Sequence, residues 1–404
     1  MRKKLWNKDF ILMLQGNAVS DIGDILYSVA IGYWVYEKTG SSTLMGVMSS
    51  ISMFMTMFVM PFSGTIIDKC DRKAVIVGMD VGRGVIMLAV GALALADKLS
   101  VPMVLIAAFL ASACSVFFNP AVSTLMIDII PHEDMVRGQS IHAGIETGIG
   151  LIGKAVSGAL VTFLGVPVII VVNGISYLLS AFTEMFIAVP RTKQQGEKVT
   201  VQSVLKDFAA AIRTIFGNRF LKLFIPCALL VNLLGAGPMS LMLPFVLEKG
   251  FTVDMYGYLM SVQTAASLVG VCFLGAVKLK PKTRYFSMAF GFLASGVLYM
   301  VAYLAESYLL MCIVFFLGCL CNTLGNGIFN ASMMLALPEE NRGSILGFVS
   351  AASTGGFALS SVIFGVLCDI FPLYLVFIAG SILSTIPMVY MCLHKTTREF
   401  ILEN

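Results

Sequence analysis

Charge is scarce in this sequence: of 404 residues, 12% are Asp, Glu, Lys or Arg, about half the share of an ordinary soluble domain. Histidine is scarcer still, at three residues, and His132, His142 and His394 have no metal-ligand spacing, which argues against a histidine metal centre. The chain holds no nucleotide-binding P-loop and no catalytic-triad signature, so an ATP-driven pump would need the P-loop on a partner chain, and triad chemistry is not expected. A formal net charge of +4 is too small to make nucleic acid a partner. No enzyme activity, no cofactor and no metal are expected.

What is abundant is apolar surface: 58% of residues are hydrophobic and the mean hydropathy is +0.90. A soluble fold has nowhere to put that much of it, whereas a bilayer-spanning helix needs about 20 apolar residues. Apolar runs of that length predict spans near 10–36, 43–67, 74–96, 101–126, 138–163 and 167–190, then near 220–247, 253–277, 284–304, 308–336, 342–368 and 372–393. The first run is too long for a signal peptide, contains Asp21 and Asp24, and lacks a small-residue cleavage site. Transmembrane β-strands, which alternate over about ten residues, are excluded by the same lengths. Most of the nine cysteines lie in or near spans, where small apolar packing is the expected role.

The cations are one-sided. One set of gaps carries Arg2, Lys3, Lys4 and Lys8, then Lys69, Arg72 and Lys73, then Arg137, the middle stretch, Lys278, Lys280, Lys282 and Arg284, Arg342, Lys395 and Arg398; the opposite set has Lys38, Lys98 and Lys249. Lys and Arg are retained on the cytoplasmic side, so both termini are expected there.

The sequence also repeats. Pro131-His132-Glu133-Asp134-Met135-Val136-Arg137-Gly138 opens the fifth span and Pro338-Glu339-Glu340-Asn341-Arg342-Gly343 opens the eleventh; further on, Ser157-Gly158-Ala159-Leu160 aligns with Phe364-Gly365-Val366-Leu367. This predicts an all-α membrane protein of twelve transmembrane helices in two six-helix pseudo-repeat bundles, 1–190 and 219–404 with a short tail, joined by a cytoplasmic linker, 191–218. Parallel repeats of this kind surround a site near the bilayer midplane. Within the linker, Val201, Val204, Leu205, Phe208, Ile212, Ile215 and Phe216 have helical spacing, as of an amphipathic surface helix.

Between the second and third spans stands Gly64-Thr65-Ile66-Ile67-Asp68-Lys69-Cys70-Asp71-Arg72-Lys73. It resembles the G-x-x-x-D-[RK]-x-G-R-[RK] loop signature of the major facilitator superfamily, departing from it at Asp71, where the pattern has Gly. The Asp-Arg-Lys variant, Gly23-Asp24, Glu37-Lys38-Thr39-Gly40-Ser41 and Phe118-Asn119-Pro120-Ala121 resemble the macrolide-efflux-like, multidrug-exporter branch. The resemblance implies a major facilitator fold in a bacterial cytoplasmic membrane, and a conformational latch at Gly64, Asp68, Arg72 and Lys73, with Asp128 in the place of the arginine's acidic partner. A basic loop that only obeys the charge rule is the plainer alternative. Two signatures of proton-coupled exporters are missing: the fourth span has no arginine and the fifth no Gly-Pro pair.

An ionisable side chain inside a span is costly unless it faces a cavity or a partner, and is therefore a candidate for function. Asn17, Asp21, Asp24 and Ser28 fall at i, i+4, i+7 and i+11, one stripe of the first helix; Glu146 lies in the fifth span with Lys154 on a neighbouring face. Asp21, Asp24, Glu146 and Lys154 are the transport and coupling candidates, as proton or substrate carriers or as a structural ion pair. Asp80 and Arg83, three apart, can pair along the third helix, either as support for the latch or in substrate binding. Asn17, Asn119, Asn173, Asn232, Gln263, Asn322 and Asn326 are candidates for lining a substrate cavity.

The expected function is secondary active transport by alternating access, with proton-coupled, antiporter-type efflux of amphipathic small molecules or drugs. A metabolite or lipid carrier, or an uptake transporter, of the same fold is the alternative; a non-transporting receptor predicts a large soluble domain, which these 404 residues do not hold. The expected partners are a small amphipathic substrate, protons and membrane lipids, and the expected state is a monomer. In a Cys-less background, single cysteines placed at Arg2 and Arg398 should react with a membrane-impermeant maleimide only after the membrane is opened; labelling in intact cells contradicts the topology.

Overall fold

A backbone in hydrocarbon has to satisfy its own hydrogen bonds, and a continuous α-helix does so within each segment. In the computed structural model, which describes residues 5–67, 70–188, 209–210, 212–277, 280–337 and 342–403, the regular elements are all helices. They are α1 Lys8–Thr39, α2 Ser42–Ile67, α3 Arg72–Leu95, α4 Val101–Ile129, α5 Met135–Leu164, α6 Val166–Glu184, α7 Arg219–Ser240, α8 Met242–Glu248, α9 Val253–Ala276, α10 Pro281–Leu304, α11 Tyr308–Ala336, α12 Arg342–Ile370, α13 Leu373–Leu393 and α14 Lys395–Glu403, with a 3-10 turn at His132–Asp134 before α5.

Among the described residues, eleven helices are long and apolar enough to cross a membrane. The twelfth span is α1, whose 32 residues have the length while Asp21 and Asp24 lower its hydropathy. Local chemistry sets the ends. Asn7 caps α1 through the N–H of Phe10 at 2.9 Å, Asn218 caps α7, and Gly40 ends α1 with a left-handed φ of 61°. The predicted span 220–247 is broken between α7 and α8. Pro244 has no N–H to donate to the carbonyl of Ser240, and its ring crowds that carbonyl, so the helix cannot run through. The tail after α13 folds as α14, held by Phe400 stacked on Phe220 at 4.1 Å. Most of the linker helix predicted over 201–216 lies outside the described residues.

The described residues pack as two units. One falls within Met1–Gly40, Phe54–Thr200 and Thr252–Ser261, the other within Ser41–Met53, Val201–Phe251 and Val262–Asn404. The first has a core of Phe10, Met13, Ile76, Leu125 and Ile129; the second is built on Phe224, Phe292, Ile328, Ile345 and Met391. Large apolar side chains also point outward, among them Phe163, Phe290 and Leu309, as expected of surfaces solvated by lipid.

Lipid gives no hydrophobic drive for helices to associate, so close backbone approach and interhelical hydrogen bonds have to hold them. Two such crossings, one in each unit, share a pattern. In the first, α9 meets α5: a Cβ on Gly257 would stand 2.5 Å from the carbonyl oxygen of Lys154, and Ser261 donates to the carbonyl of Leu151 at 2.9 Å. In the second, α2 meets α12: a Cβ on Gly46 would stand 2.1 Å from the carbonyl oxygen of Ser361, and Ser50 donates to the carbonyl of Ala358 at 2.7 Å. The same Gly-x-x-x-Ser spacing serves both crossings, and the facing glycines, Gly158 and Gly365, are the pair aligned in the sequence repeat. At the start of α2 the Asp369 carboxylate adds a cap, accepting from the N–H groups of Ser42 at 2.6 Å and Thr43 at 3.1 Å and from the Ser41 hydroxyl at 2.8 Å. Because backbone carbonyls cannot yield as side chains do, Gly257→Leu should lower the melting temperature of the protein in nanodiscs, at a cost of about 1–3 kcal/mol. Gly78→Leu, at a position facing open space, should not. Equal melting of the two variants contradicts the crossing's role.

Candidate functional site

The polar stripe of α1 is shared between two surroundings. On one side, α6 approaches closely because Gly23 has no side chain: a Cβ there would lie 2.4 Å from the amide oxygen of Asn173. Asp24 accepts hydrogen bonds from the Tyr177 hydroxyl and from the Asn173 amide, the latter at 3.4 Å. The Tyr177 ring lies under the Arg83 guanidinium at 4.4 Å, the Phe118 ring lies 4.1 Å from it, and Arg83 pairs with Asp80. Asp80 and Arg83 are fully buried. The structure therefore joins Asp24, Asn173, Asp80 and Arg83 in one network, and Asp80–Arg83 is an intrahelical pair on α3 that also faces Asp24.

On the other side, Asn17, Asp21, Asn119, Gln139, His142 and Glu146 line a cavity of about 310 Å³. Asn17 meets the His142 ring at 3.0 Å, and His142 stands 3.6 Å from Glu146 one turn on. Glu146 is half exposed at 52%. Asp24 and Glu146 thus lie in different surroundings. Lys154 is placed at the α5–α9 crossing and lines neither this cavity nor the one in the second unit.

The second unit encloses a cavity of about 370 Å³ in which none of the lining residues carries a formal charge. Asn232, Gln263, Asn322 and Asn326 line it with Tyr299, Phe292, Met388 and several hydroxyls. Asn326 donates to the Asn322 side chain at 2.8 Å, and Asn232 to the Ala228 carbonyl at 3.0 Å. Each amide keeps spare donors and acceptors. A hydrogen-bonding but uncharged molecule with apolar surface matches such a lining.

At the loop, Arg72 begins α3 and pairs with Asp128 near the end of α4; their side chains are 7% and 13% exposed. Asp71, where the family pattern has Gly, is the N-cap of α3, accepting from the Lys73 N–H at 3.0 Å in extended backbone, φ −71°. An acid does there what a tight glycine turn does elsewhere: it begins the helix. Gly64 lies in the last turn of α2, and Asp68 and Lys69 lie outside the described residues. Sequence reasoning missed Tyr177 and Glu184, although Asn173, Tyr177, Ser180 and Glu184 repeat on α6 the i, i+4, i+7, i+11 spacing that singled out α1. It missed His142, for which the i, i+4 step to Glu146 was the available signal.

Comparison with known proteins follows this geometry. Residues 13–361 match the family profile described as Major Facilitator Superfamily, and the chain belongs to that family. Macrolide efflux protein A of Streptococcus pyogenes is 24% identical over 190 residues, 46% of each chain. BacE of Bacillus subtilis, named for bacilysin export, is 29% identical over 217 residues, 52% of this chain and 51% of that one. These matches span about half the length of those relatives, whereas YfiS of Bacillus subtilis (strain 168), an uncharacterised MFS-type transporter, is 23% identical over 96% of this chain and 94% of its own. Among solved structures, a bacterial homologue of the iron transporter ferroportin superposes with a TM-score of 0.70 at 14% identity, covering 95% of this chain and 98% of that one. The nucleoside transporter NupG gives 0.69 at 13%, covering 95% and 100%. These structural likenesses concern the fold.

Removing one partner of the Arg72–Asp128 pair takes the facing counter-charge from a mostly buried group. Arg72→Ala and Asp128→Ala should each lower the melting temperature, and a double-mutant cycle should show a coupling of about 0.5–3 kcal/mol. Strict additivity contradicts the pairing.

Proposed function

We propose that the protein is a secondary active transporter that exports amphipathic small molecules in exchange for protons, by alternating access, as a monomer in a bacterial cytoplasmic membrane with both termini inside. The reading rests chiefly on Asp24, a carboxylate held inside a membrane helix by Tyr177 and Asn173 and facing Arg83. A group that can gain and lose charge in such a place costs too much to keep as packing, and a proton is the smallest ligand able to neutralise it. The cavity beside Asp21 and Glu146 suits a cationic group, and the uncharged cavity of the second unit, taken by itself, suits a hydrogen-bonding molecule with apolar surface. The relatives named for macrolide efflux and bacilysin export support the outward direction. In this reading the halves are 1–190 and 219–404, the stretch 191–218 tethers them, and Gly64, Asp68, Arg72 and Lys73 with Asp128 form a conformational latch.

The test is Asp24→Asn in proteoliposomes, with a labelled macrolide and a labelled cationic dye as probes. Exchange of internal for external probe should persist, while accumulation driven by a pH gradient should be lost. Undiminished pH-driven accumulation by the variant overturns the role of Asp24.

A further inference from the structure

Seven residues beyond Tyr177, α6 ends on Glu184, which is 1% exposed. Among the described residues, neither of its carboxyl oxygens is in hydrogen-bonding geometry with any partner. Space for it is made by α1: a Cβ on Gly16 would stand 3.2 Å from Oε1 of Glu184 and 2.9 Å from the Ser180 hydroxyl. Asp80 of α3 is 0% exposed and faces Glu184, with Ser180 beside both carboxyls. Asp80 gives one oxygen to Arg83, and its other, Oδ2, is unpartnered.

Charge counting makes this arrangement unusual. Among the described residues, the other charged or titratable groups around the pair are Arg83 on α3, Asp21 and Asp24 on α1, Tyr177 on α6 itself and Cys114 on α4. From α5, His142 and Glu146 face the Asp21 side of α1. Among the described residues, Arg83 is the cation that bears on Glu184, Asp80, Asp24 and Asp21 alike. One guanidinium cannot compensate all of these carboxylates in ionised form in a buried interior, where an unpaired charge is neutralised rather than tolerated. Asp80 is its direct ion-pair partner, and Asp24 has two hydrogen-bond donors of its own. Glu184 has neither an ion-pair partner nor a hydrogen bond among the described residues, only the Ser180 hydroxyl beside it and Arg83 at longer range, so it is the member of the set least able to hold a negative charge.

We propose that Glu184 and Asp80 form a proton-binding site at the α3–α6 interface, in which Glu184 carries the proton while Asp80 remains the counter-ion of Arg83. The site is separate from Asp24, and the two share Arg83, so a proton leaving Glu184 changes the charge that Asp24 faces. The inference deepens the proton-exchange reading, since it gives that reading a second carrier, but the bound proton does not depend on transport.

The test is infrared difference spectroscopy on the purified full-length protein in nanodiscs, between neutral and alkaline pH, with transport assayed separately. The wild type should show a protonated-carboxyl C=O band at neutral pH, and Glu184→Gln, which keeps the shape and removes the titration, should lose that band without a fall in melting temperature. Asp80→Asn should lose it as well, because Glu184 then becomes the counter-ion of Arg83. A band unchanged in Glu184→Gln overturns the proposal, as does a melting temperature lowered by that substitution, which marks an ionised structural Glu184. A stabilisation of the wild type by sodium over choline at equal ionic strength, abolished in Glu184→Gln, also overturns it by making the site a metal-ion site. If pH-driven accumulation is absent while the band behaves as expected, the exchange reading fails and the proton site stands.

Discussion

One buried guanidinium orders the polar interior of the first unit. Arg83 pairs with Asp80, lies over the rings of Tyr177 and Phe118, and faces Asp24 and Glu184. Burying any one of these charges alone would be costly. Together, they form a set whose balance changes whenever a proton enters or leaves. Gly23 and Gly16 bring α1 against α6 where Asn173, Ser180 and Glu184 lie. The aromatic rings replace some of the hydration that the cation gives up.

The same physics explains the contrast between the two cavities. Two carboxylates and a histidine stand among the amides of the first unit's cavity, whereas amides, hydroxyls, methionines and aromatic rings, with no formal charge, line that of the second. Neutral amides hydrogen-bond a ligand without the desolvation cost of a charge, and methionine and aromatic side chains accept varied apolar shapes. Charge chemistry in one unit and adaptable neutral recognition in the other agree with export driven by protons. Around both, the glycine–serine crossings supply the helix contacts that lipid does not drive.

The fold was legible because its strongest signals are bilayer length and one-sided cations, which do not depend on tertiary detail. The break before α8 was readable only by asking what Pro244 does to the carbonyl of Ser240, not from hydropathy, which stays high across it. The sites were legible one helix at a time. The stripe on α1 points to Asp24, but which helix would face it is not encoded locally, and Asp80 with Arg83 reads as a pair along α3 that supports the latch or binds substrate. Glu184 stayed hidden because it stands at the end of an apolar run, where a carboxylate ordinarily marks the return to water; only the packing of α1 and α3 shows that it is buried. Asp71 was read as a departure from a turn pattern, whereas its side chain performs helix capping, which a pattern written for glycine does not reveal.

The central claim, that charge in the first unit couples to substrate movement, is tested most directly without imposing any pH gradient. Proteoliposomes containing a pH-sensitive dye are given an outward gradient of labelled macrolide alone, and internal pH is followed as the probe leaves. Proton-coupled exchange requires the lumen to acidify in step with efflux, at a rate proportional to the amount of wild-type protein. Efflux with no change in internal pH, the membrane being shown tight to protons, contradicts the account.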